Sequence, residues 1–143
     1  MIAFSQKSIQ VAAIAGGVIV LDWATQWLLA PLVGGITNYG VSFGIASAVP
    51  SPVLFGSLLG VLLGMLWWQR RYFEQFPRAS GLFCGGAAAN LLERMIYGGG
   101  VRDWIFIPGL NLYNNLADWA LFIGWSLFLY YTLRRTTDAQ PTT

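Results

Sequence analysis

Two aspartates of this chain have the residue type and spacing for hydrolytic chemistry. Asp103 follows the glycine-rich turn at 98–100, and Asp118 lies three residues after Asn115, so Asn115 and Asp118 share one helical face. Two carboxyl groups brought close together cannot both ionise readily, and such a pair holds a shared proton. One carboxylate can then activate water as a general base while its protonated partner polarises a carbonyl group. The sequence therefore indicates Asp103 and Asp118 as the candidate catalytic pair, with the acid–base chemistry that aspartic proteases use.

The residue census excludes most other hydrolytic chemistry. Without histidine the chain can form neither a Ser-His-Asp triad nor a Cys-His pair. The single cysteine, Cys84, excludes an internal disulfide and any multi-cysteine metal cage. The only lysine, Lys7, precedes the first apolar segment, so a Ser-Lys dyad lacks a base within a membrane site. We therefore expect no cofactor and no metal, and the net charge of +2 is too small to indicate nucleic-acid binding.

The elements that must position this pair are membrane helices. Of the 143 residues, 56% are hydrophobic and 10% are charged, whereas soluble domains carry about 25% charge. Four apolar segments, 11–30, 53–68, 81–97 and 116–133, approach the roughly 20 residues that cross a bilayer. We predict an all-α membrane protein with four transmembrane helices, organised as one domain over 1–135 with a disordered cytoplasmic tail at 136–143.

The distribution of basic residues predicts the orientation of these helices. If all four segments cross, one side of the membrane holds the basic residues Lys7, Arg70, Arg71, Arg78, Arg134 and Arg135. The segment 31–52 carries no lysine or arginine, and 98–115 carries only Arg102. By the positive-inside rule both termini are cytoplasmic and these two short segments face outward. The candidate pair then lies at the outer face of the membrane.

Several polar residues lie inside the apolar segments, where they raise the free energy of membrane insertion. Asp22 and Gln26 are four residues apart in the first segment and share a helical face. An ionised residue near the centre of a span costs about 2.5 to 3.5 kcal/mol, so such faces turn toward other helices or a wet cavity. We expect Glu93 and Arg94 to offset part of this cost, either by pairing with each other or by lying near the outer interface. The third segment carries a second polar stripe: Gly86, Asn90, Arg94 and Tyr97, with Glu93 beside it.

Structural roles for the same acids stay open at this point. Asp22 can accept hydrogen bonds from a neighbouring helix and so fix packing. Asp118 can cap a helix and interact favourably with its dipole. Asp103 can be a loop aspartate that pairs with Arg102.

A different class of function is also open. A small proton-coupled transporter would use Asp22, Glu93 and Arg94 as a path across the membrane. The two halves of the chain do not repeat each other, which disfavours an inverted-repeat transporter.

Five sequence blocks, in order, resemble the lipoprotein signal peptidase (signal peptidase II) family. They are Leu21-Asp22 through Gln26, Asn38-Tyr39-Gly40-Val41-Ser42-Phe43-Gly44, Gly85-Gly86 through Arg94, Gly100-Val101-Arg102-Asp103-Trp104, and Asn115-Leu116-Ala117-Asp118. Each block alone is weak, but five in the right order and with the right polarity across the membrane carry the resemblance over most of the chain.

The resemblance implies a four-helix aspartic protease of the bacterial cytoplasmic (inner) membrane. Its members remove the signal peptide from diacylglyceryl-modified prolipoproteins, cutting immediately before the lipid-bearing cysteine. The expected partners are the lipidated substrate and membrane lipid, with no nucleic acid, and the protein is expected to act as a monomer. Carried over by motif, the catalytic pair is Asp103 and Asp118, and the binding or supporting residues are Asp22, Asn38, Asn90, Glu93, Arg94 and Asn115.

The chain departs from the family pattern at several positions. The family usually has glutamine at Trp23, lysine at Gln26, aspartate at Glu93 and serine at Trp119. The outer segment between Asp22 and Asn38 is also short, and we expect little of the family's small β-sheet platform to form there. A catalytically weak or inactive paralogue that only binds lipidated peptides is the alternative that these departures favour.

Overall fold

The computed structural model describes residues 5–40, 48–68 and 74–138, and they are mostly helical. The helices are α1 (Gln6–Leu28), α2 (Ala30–Val33), α3 (Ser51–Trp68), α4 (Pro77–Ile96) and α5 (Leu116–Asp138). Four three-residue strands lie between them: β1 (Ile36–Asn38), β2 (Val101–Asp103), β3 (Ile105–Ile107) and β4 (Leu112–Asn114).

Two of these helices are long and apolar enough to cross a membrane, namely α1 and the Leu116–Arg135 part of α5. Most of their side chains are not buried inside the protein, so an apolar surrounding is needed to cover them. The apolar part of α3, Pro52–Gly64, is shorter. These surfaces are those of an integral membrane protein.

The central helix of the bundle is α4, which packs against α1 on one side and α5 on the other. Two adjacent glycines make both contacts close. A Cβ atom at Gly85 would lie 2.8 Å from Ala15 Cα in α1, whereas one at Gly86 would collide with the Ala117 carbonyl oxygen in α5. Small residues of this kind let membrane helices approach through their backbones.

The strands correct the all-α prediction. β1 and β2 pair antiparallel, with Ile36 opposite Asp103 and Asn38 opposite Val101, and β3 and β4 form a second antiparallel pair. These segments join helix ends, and their backbone groups need partners outside the helices, which a short ladder supplies. The outer segment after α1 contributes one strand, β1, whose partner β2 comes from the second outer segment. Residues 41–47 of the first outer segment lie outside the described residues.

The ends of the chain bear on the predicted tail and charge distribution. α5 continues to Asp138, three residues into the segment 136–143 for which we predict disorder, and 139–143 lie outside the described residues. Arg70 and Arg71 also fall outside them. Arg135 Nη1 donates to Gln75 Oε1 at 2.7 Å, so the end of α5 lies beside the segment that precedes α4.

Candidate active site

Asp103 ends β2 and is buried, with 2% of its surface exposed. Its Oδ1 accepts a hydrogen bond from Asn115 Nδ2 at 2.8 Å, and its Oδ2 accepts one from Asn38 Nδ2 at 3.1 Å. Asn38 reaches this carboxyl group because β1 pairs with β2, and Asn115 because it directly precedes α5. Three separate elements therefore fix one carboxyl group.

Asp118 lies in the first turn of α5 and is connected to Asp103 through amides. Asn90 Nδ2 donates to Asp118 Oδ1 at 2.9 Å, and Asn115 Nδ2 donates to Asn90 Oδ1 at 3.2 Å as well as to Asp103. No hydrogen bond of the described residues joins the two carboxyl groups directly. Asn115 and Asn90 bridge them instead.

The electrostatic environment of Asp103 favours its protonated form. Burial raises the pKa of Asp103 from 3.8 to about 7, and the negative charge of Asp118 adds to the effect. The hydrogen bonds from Asn38 and Asn115 act in the opposite direction, because they stabilise the charged form of the carboxyl group. Near pH 7 Asp103 can therefore hold a proton.

Arg94 lies next to the pair and is buried. Its Nη1 donates to the Asn90 carbonyl oxygen at 3.2 Å and its Nη2 to the Gly40 carbonyl oxygen at 2.5 Å. Its Nε has no hydrogen-bond partner within the described part of the chain. The first of the two alternatives for Glu93 and Arg94, pairing with each other, is wrong, because the Glu93 carboxylate forms its ion pair with Arg102.

Asp22 and Glu93, the other two predicted supporting acids, belong to a second cluster beside the first. Gln26 Nε2 donates to Asp22 Oδ2 at 2.8 Å and to Glu93 Oε2 at 2.9 Å, and all three side chains are fully buried. Arg102 Nε donates to Glu93 Oε1 at 2.8 Å in the only ion pair among the described residues. The prediction of site residues missed Gln26 and Arg102. Their signal in the sequence was a polar residue one turn after Asp22 and the single basic residue of the loop after α4.

The N-cap of α5 is Asn115, and not Asp118 as one interpretation of the sequence allowed. Asn115 precedes α5, and its Oδ1 accepts from the Asp118 backbone N–H at 2.8 Å, which is the usual geometry of an N-cap. Asp22 Oδ1 accepts from the Ala117 backbone N–H at 2.9 Å. With its own backbone N–H held by Asn115, Asp118 keeps its carboxyl group for the site. The alternative pairing of Asp103 with Arg102 does not occur, since Arg102 binds Glu93 and Gln26.

The helical bundle has unburied apolar faces and, at one end, two aspartates bridged by amides, an arrangement that suits a membrane hydrolase. Comparison with protein families agrees: the family described as "Signal peptidase (SPase) II" matches residues 14–134. The chain therefore belongs to the signal peptidase II family, whose members are membrane peptidases of lipoprotein processing. A search of curated protein sequences finds no significant match.

Solved structures show the same fold. One, described as a bacterial membrane enzyme structure by the in meso method at 2.3 Å resolution, superposes with a TM-score of 0.75 at 21% identity. The alignment covers 93% of each chain. A second, described in the same words at 1.9 Å resolution, gives a TM-score of 0.66 at 21% identity over 86% of this chain and 91% of the other.

Proposed function

We propose that this chain is an intramembrane aspartic endopeptidase that removes the signal peptide from diacylglyceryl-modified prolipoproteins. Cleavage falls immediately before the lipid-bearing cysteine of the substrate. The observation that carries the proposal is the joint placement of Asp103, which is buried, and Asp118, which is partly buried, with Asn115 and Asn90 bridging them. Membership of the signal peptidase II family supports the choice of substrate.

In the proposed reaction the two aspartates exchange roles once. The Asp118 carboxylate takes a proton from water, whose oxygen attacks the scissile carbonyl carbon, while Asp103 gives its proton to the carbonyl oxygen. In the second step Asp118 donates its proton to the leaving nitrogen, Asp103 recovers one from a hydroxyl group, and the C–N bond breaks. The products are a free carboxyl group and the amine of the lipid-bearing cysteine, and the pair again holds one proton.

The charge of the site suits this single-proton state. A pair that shares one proton carries a charge of −1, and Arg94, whose charge interacts with both aspartates, supplies +1. In the proposal Asn90, Asn115 and Arg94 line the site and hold the substrate backbone, since the two amides contact the aspartate carboxyl groups and Arg94 Nη1 donates to the Asn90 carbonyl oxygen. Asn38 supports Asp103 from β1.

The membrane disposition is part of the same proposal. We infer four transmembrane helices, α1, α3, α4 and α5, with both termini on the cytoplasmic side of a bacterial inner membrane and the site at the outer face. Lys7, Arg78 and Arg135 lie at the helix ends remote from Asp103, as the positive-inside rule requires. The proposed partners are the lipidated precursor and membrane lipid, with no nucleic acid, and the protein acts as a monomer.

The two competing functions predict different features. A proton path across the membrane needs polar groups along its length, but the buried polar side chains of the described residues, apart from Ser80, lie at the end that holds Asp103. An inactive paralogue needs a blocked site, whereas the Trp119 side chain lies partly exposed on α5 and stacks edge-on against Phe122 with ring centroids 6.2 Å apart.

A gel-shift assay on a purified diacylated precursor tests the proposal. We expect wild-type protein to release the signal peptide, and Asp103→Asn and Asp118→Asn each to stop cleavage while the protein still inserts. Asp138→Asn is the matched control, because twenty helical residues place it about 30 Å from Asp118. Full activity in either site variant would exclude the aspartic mechanism, and precursor binding without any product from wild-type protein would indicate the inactive paralogue.

A further inference from the structure

A continuous chain of polar contacts runs behind the aspartate pair. Arg102 Nε donates to Glu93 Oε1 at 2.8 Å, and Gln26 Nε2 donates to Glu93 Oε2 at 2.9 Å. The same Gln26 nitrogen donates to Asp22 Oδ2 at 2.8 Å, and Asp22 Oδ1 accepts from the Ala117 backbone N–H at 2.9 Å. A cross-link from Arg102 Nη2 to Gln26 Oε1 at 3.0 Å closes the first part of the chain into a ring. We call these five residues the brace.

The two ends of the brace are the residues that directly precede the two aspartates. Arg102 precedes Asp103 on β2, and Ala117 precedes Asp118 on α5. Because successive side chains of a strand point to opposite faces, Arg102 reaches the brace while Asp103 reaches the amides of the site. The brace therefore contacts the residue before each aspartate, through the Arg102 side chain on β2 and through the Ala117 backbone N–H on α5.

We propose that Arg102 and Gln26 are positioning residues for the reaction, because the brace sets the separation of Asp103 and Asp118. This inference rests on the proposed function of that pair. Neither residue touches the two carboxyl groups, so both act through the strand and helix that carry them.

The brace has the properties that a rigid support needs. Asp22, Gln26 and Glu93 are fully buried, so loss of one partner leaves an unsatisfied polar group in a poorly solvated site. Arg102 is 30% exposed, and its guanidinium lies 4.3 Å from the centre of the Tyr97 ring. The guanidinium also donates to the Tyr97 hydroxyl group at 3.1 Å, in addition to Glu93 and Gln26. A guanidinium held by three hydrogen bonds has few other orientations, so the β2 end of the brace is fixed.

The activity test compares Arg102→Met with Glu93→Gln and their double variant. A displacement of about 1 Å at a reacting group can lower a rate about 100-fold, so we expect kcat to fall 10- to 100-fold in each single variant with KM changed less than about twofold. The double variant removes both charges of the ion pair and should recover at least part of the lost kcat. Arg102→Lys keeps the cation but loses a donor, and its kcat should fall between those of the wild type and Arg102→Met. Arg78→Met, an exposed cation at the other end of the bundle, is the control.

A second measurement does not depend on peptidase activity. Hydrogen exchange of the Ala117 amide reports the far end of the brace, and we expect it to become faster in Arg102→Met and in Gln26→Leu but not in Arg78→Met. If wild-type protein cleaves no precursor while the Ala117 amide still responds, the proposed function fails and the brace stands. Two results would overturn the positioning role: an unchanged exchange rate of the Ala117 amide in Arg102→Met and Gln26→Leu, or a 10- to 100-fold rise in KM with kcat unchanged in Arg102→Met.

Discussion

Removal of the Asn38 amide should move the alkaline limit of peptidase activity to higher pH. Asn38 Nδ2 donates to Asp103 Oδ2 at 3.1 Å, and this hydrogen bond holds the pKa of Asp103 below the value that burial alone would give it. The reactive form of the pair needs Asp103 protonated, so activity falls as pH rises through the pKa of about 7. In Asn38→Ala the charged form loses a donor, the pKa rises, and Asp103 keeps its proton to higher pH.

The size of this shift follows from the hydrogen bond that is lost. A hydrogen bond to a charged group contributes about 1.5 to 3 kcal/mol, and one pKa unit corresponds to about 1.4 kcal/mol. Asn38 is only half-buried, and water replaces part of its contribution, so the lower end applies. The alkaline limit should therefore rise by about one pH unit. At pH 8 the protonated fraction of Asp103 would increase from about one-tenth to about one-half.

The assay measures kcat/KM on a diacylated precursor between pH 5 and 9. The quantity compared between variants is the pH at which kcat/KM falls on the alkaline side (the alkaline limb), and not the maximal activity. Asn38→Asp should raise the limb at least as far, because it keeps the acceptor for the Gly40 N–H and adds a negative charge beside Asp103. Thr37→Val, the neighbouring position of β1, is the control and should leave the limb in place. An Asn38→Ala limb at the wild-type pH, or below it, would refute the assignment of the proton to Asp103.

Four further outcomes are expected. Gly86→Leu should abolish folded protein in detergent, because a Cβ atom there would collide with α5, while Gly56→Leu on open space in α3 should be tolerated, as size-exclusion chromatography would show. Trp119→Ser should raise KM about tenfold with kcat unchanged, because this partly exposed ring offers apolar area beside the site; a fall in kcat alone would contradict that reading. The free energy of unfolding of the wild type should fall by about 1.4 kcal/mol for each pH unit between about 4 and 7 and level off above 7, because in that range the folded state keeps a proton on Asp103 that the unfolded state has released; Asp103→Asn should flatten this dependence in a melting series. Gln26→Lys should lower the melting temperature and kcat, although the family pattern usually has lysine at that position; a more stable and more active variant would show that the buried site accepts a second cation.

The helices could be predicted from the sequence because their signal is local. Apolar segments at 11–30, 53–68, 81–97 and 116–133 correspond to α1, α3, α4 and α5, whose ends differ from the prediction by a few residues. The spacing of Asn115 and Asp118 was equally informative, since one helical turn places the Asn115 amide on the Asp118 backbone. Patterns of this kind depend on helix geometry alone.

The strands and the partners of the buried charges could not be predicted in this way. β1 and β2 pair across 65 residues of sequence, and three-residue strands are too short to show an alternating pattern. The partner of Glu93 depended on the same pairing, because Arg102 reaches it only once β2 is laid against the end of α4. The adjacent Arg94 was the nearer candidate in sequence, but its guanidinium binds backbone carbonyl groups.

The departures at positions 26 and 93 make physical sense when they are considered together with Arg102. Gln26 donates to two carboxylates and accepts from the Arg102 guanidinium at 3.0 Å. A lysine has three donors and no acceptor, so in this chain its ammonium would face the guanidinium at close range in a poorly solvated site. The longer side chain of Glu93, compared with the aspartate usual in the family, lets one oxygen bind Gln26 while the other binds Arg102. In this chain the positive charge of the cluster comes from Arg102 on β2, and Gln26 supplies the acceptor that the guanidinium needs.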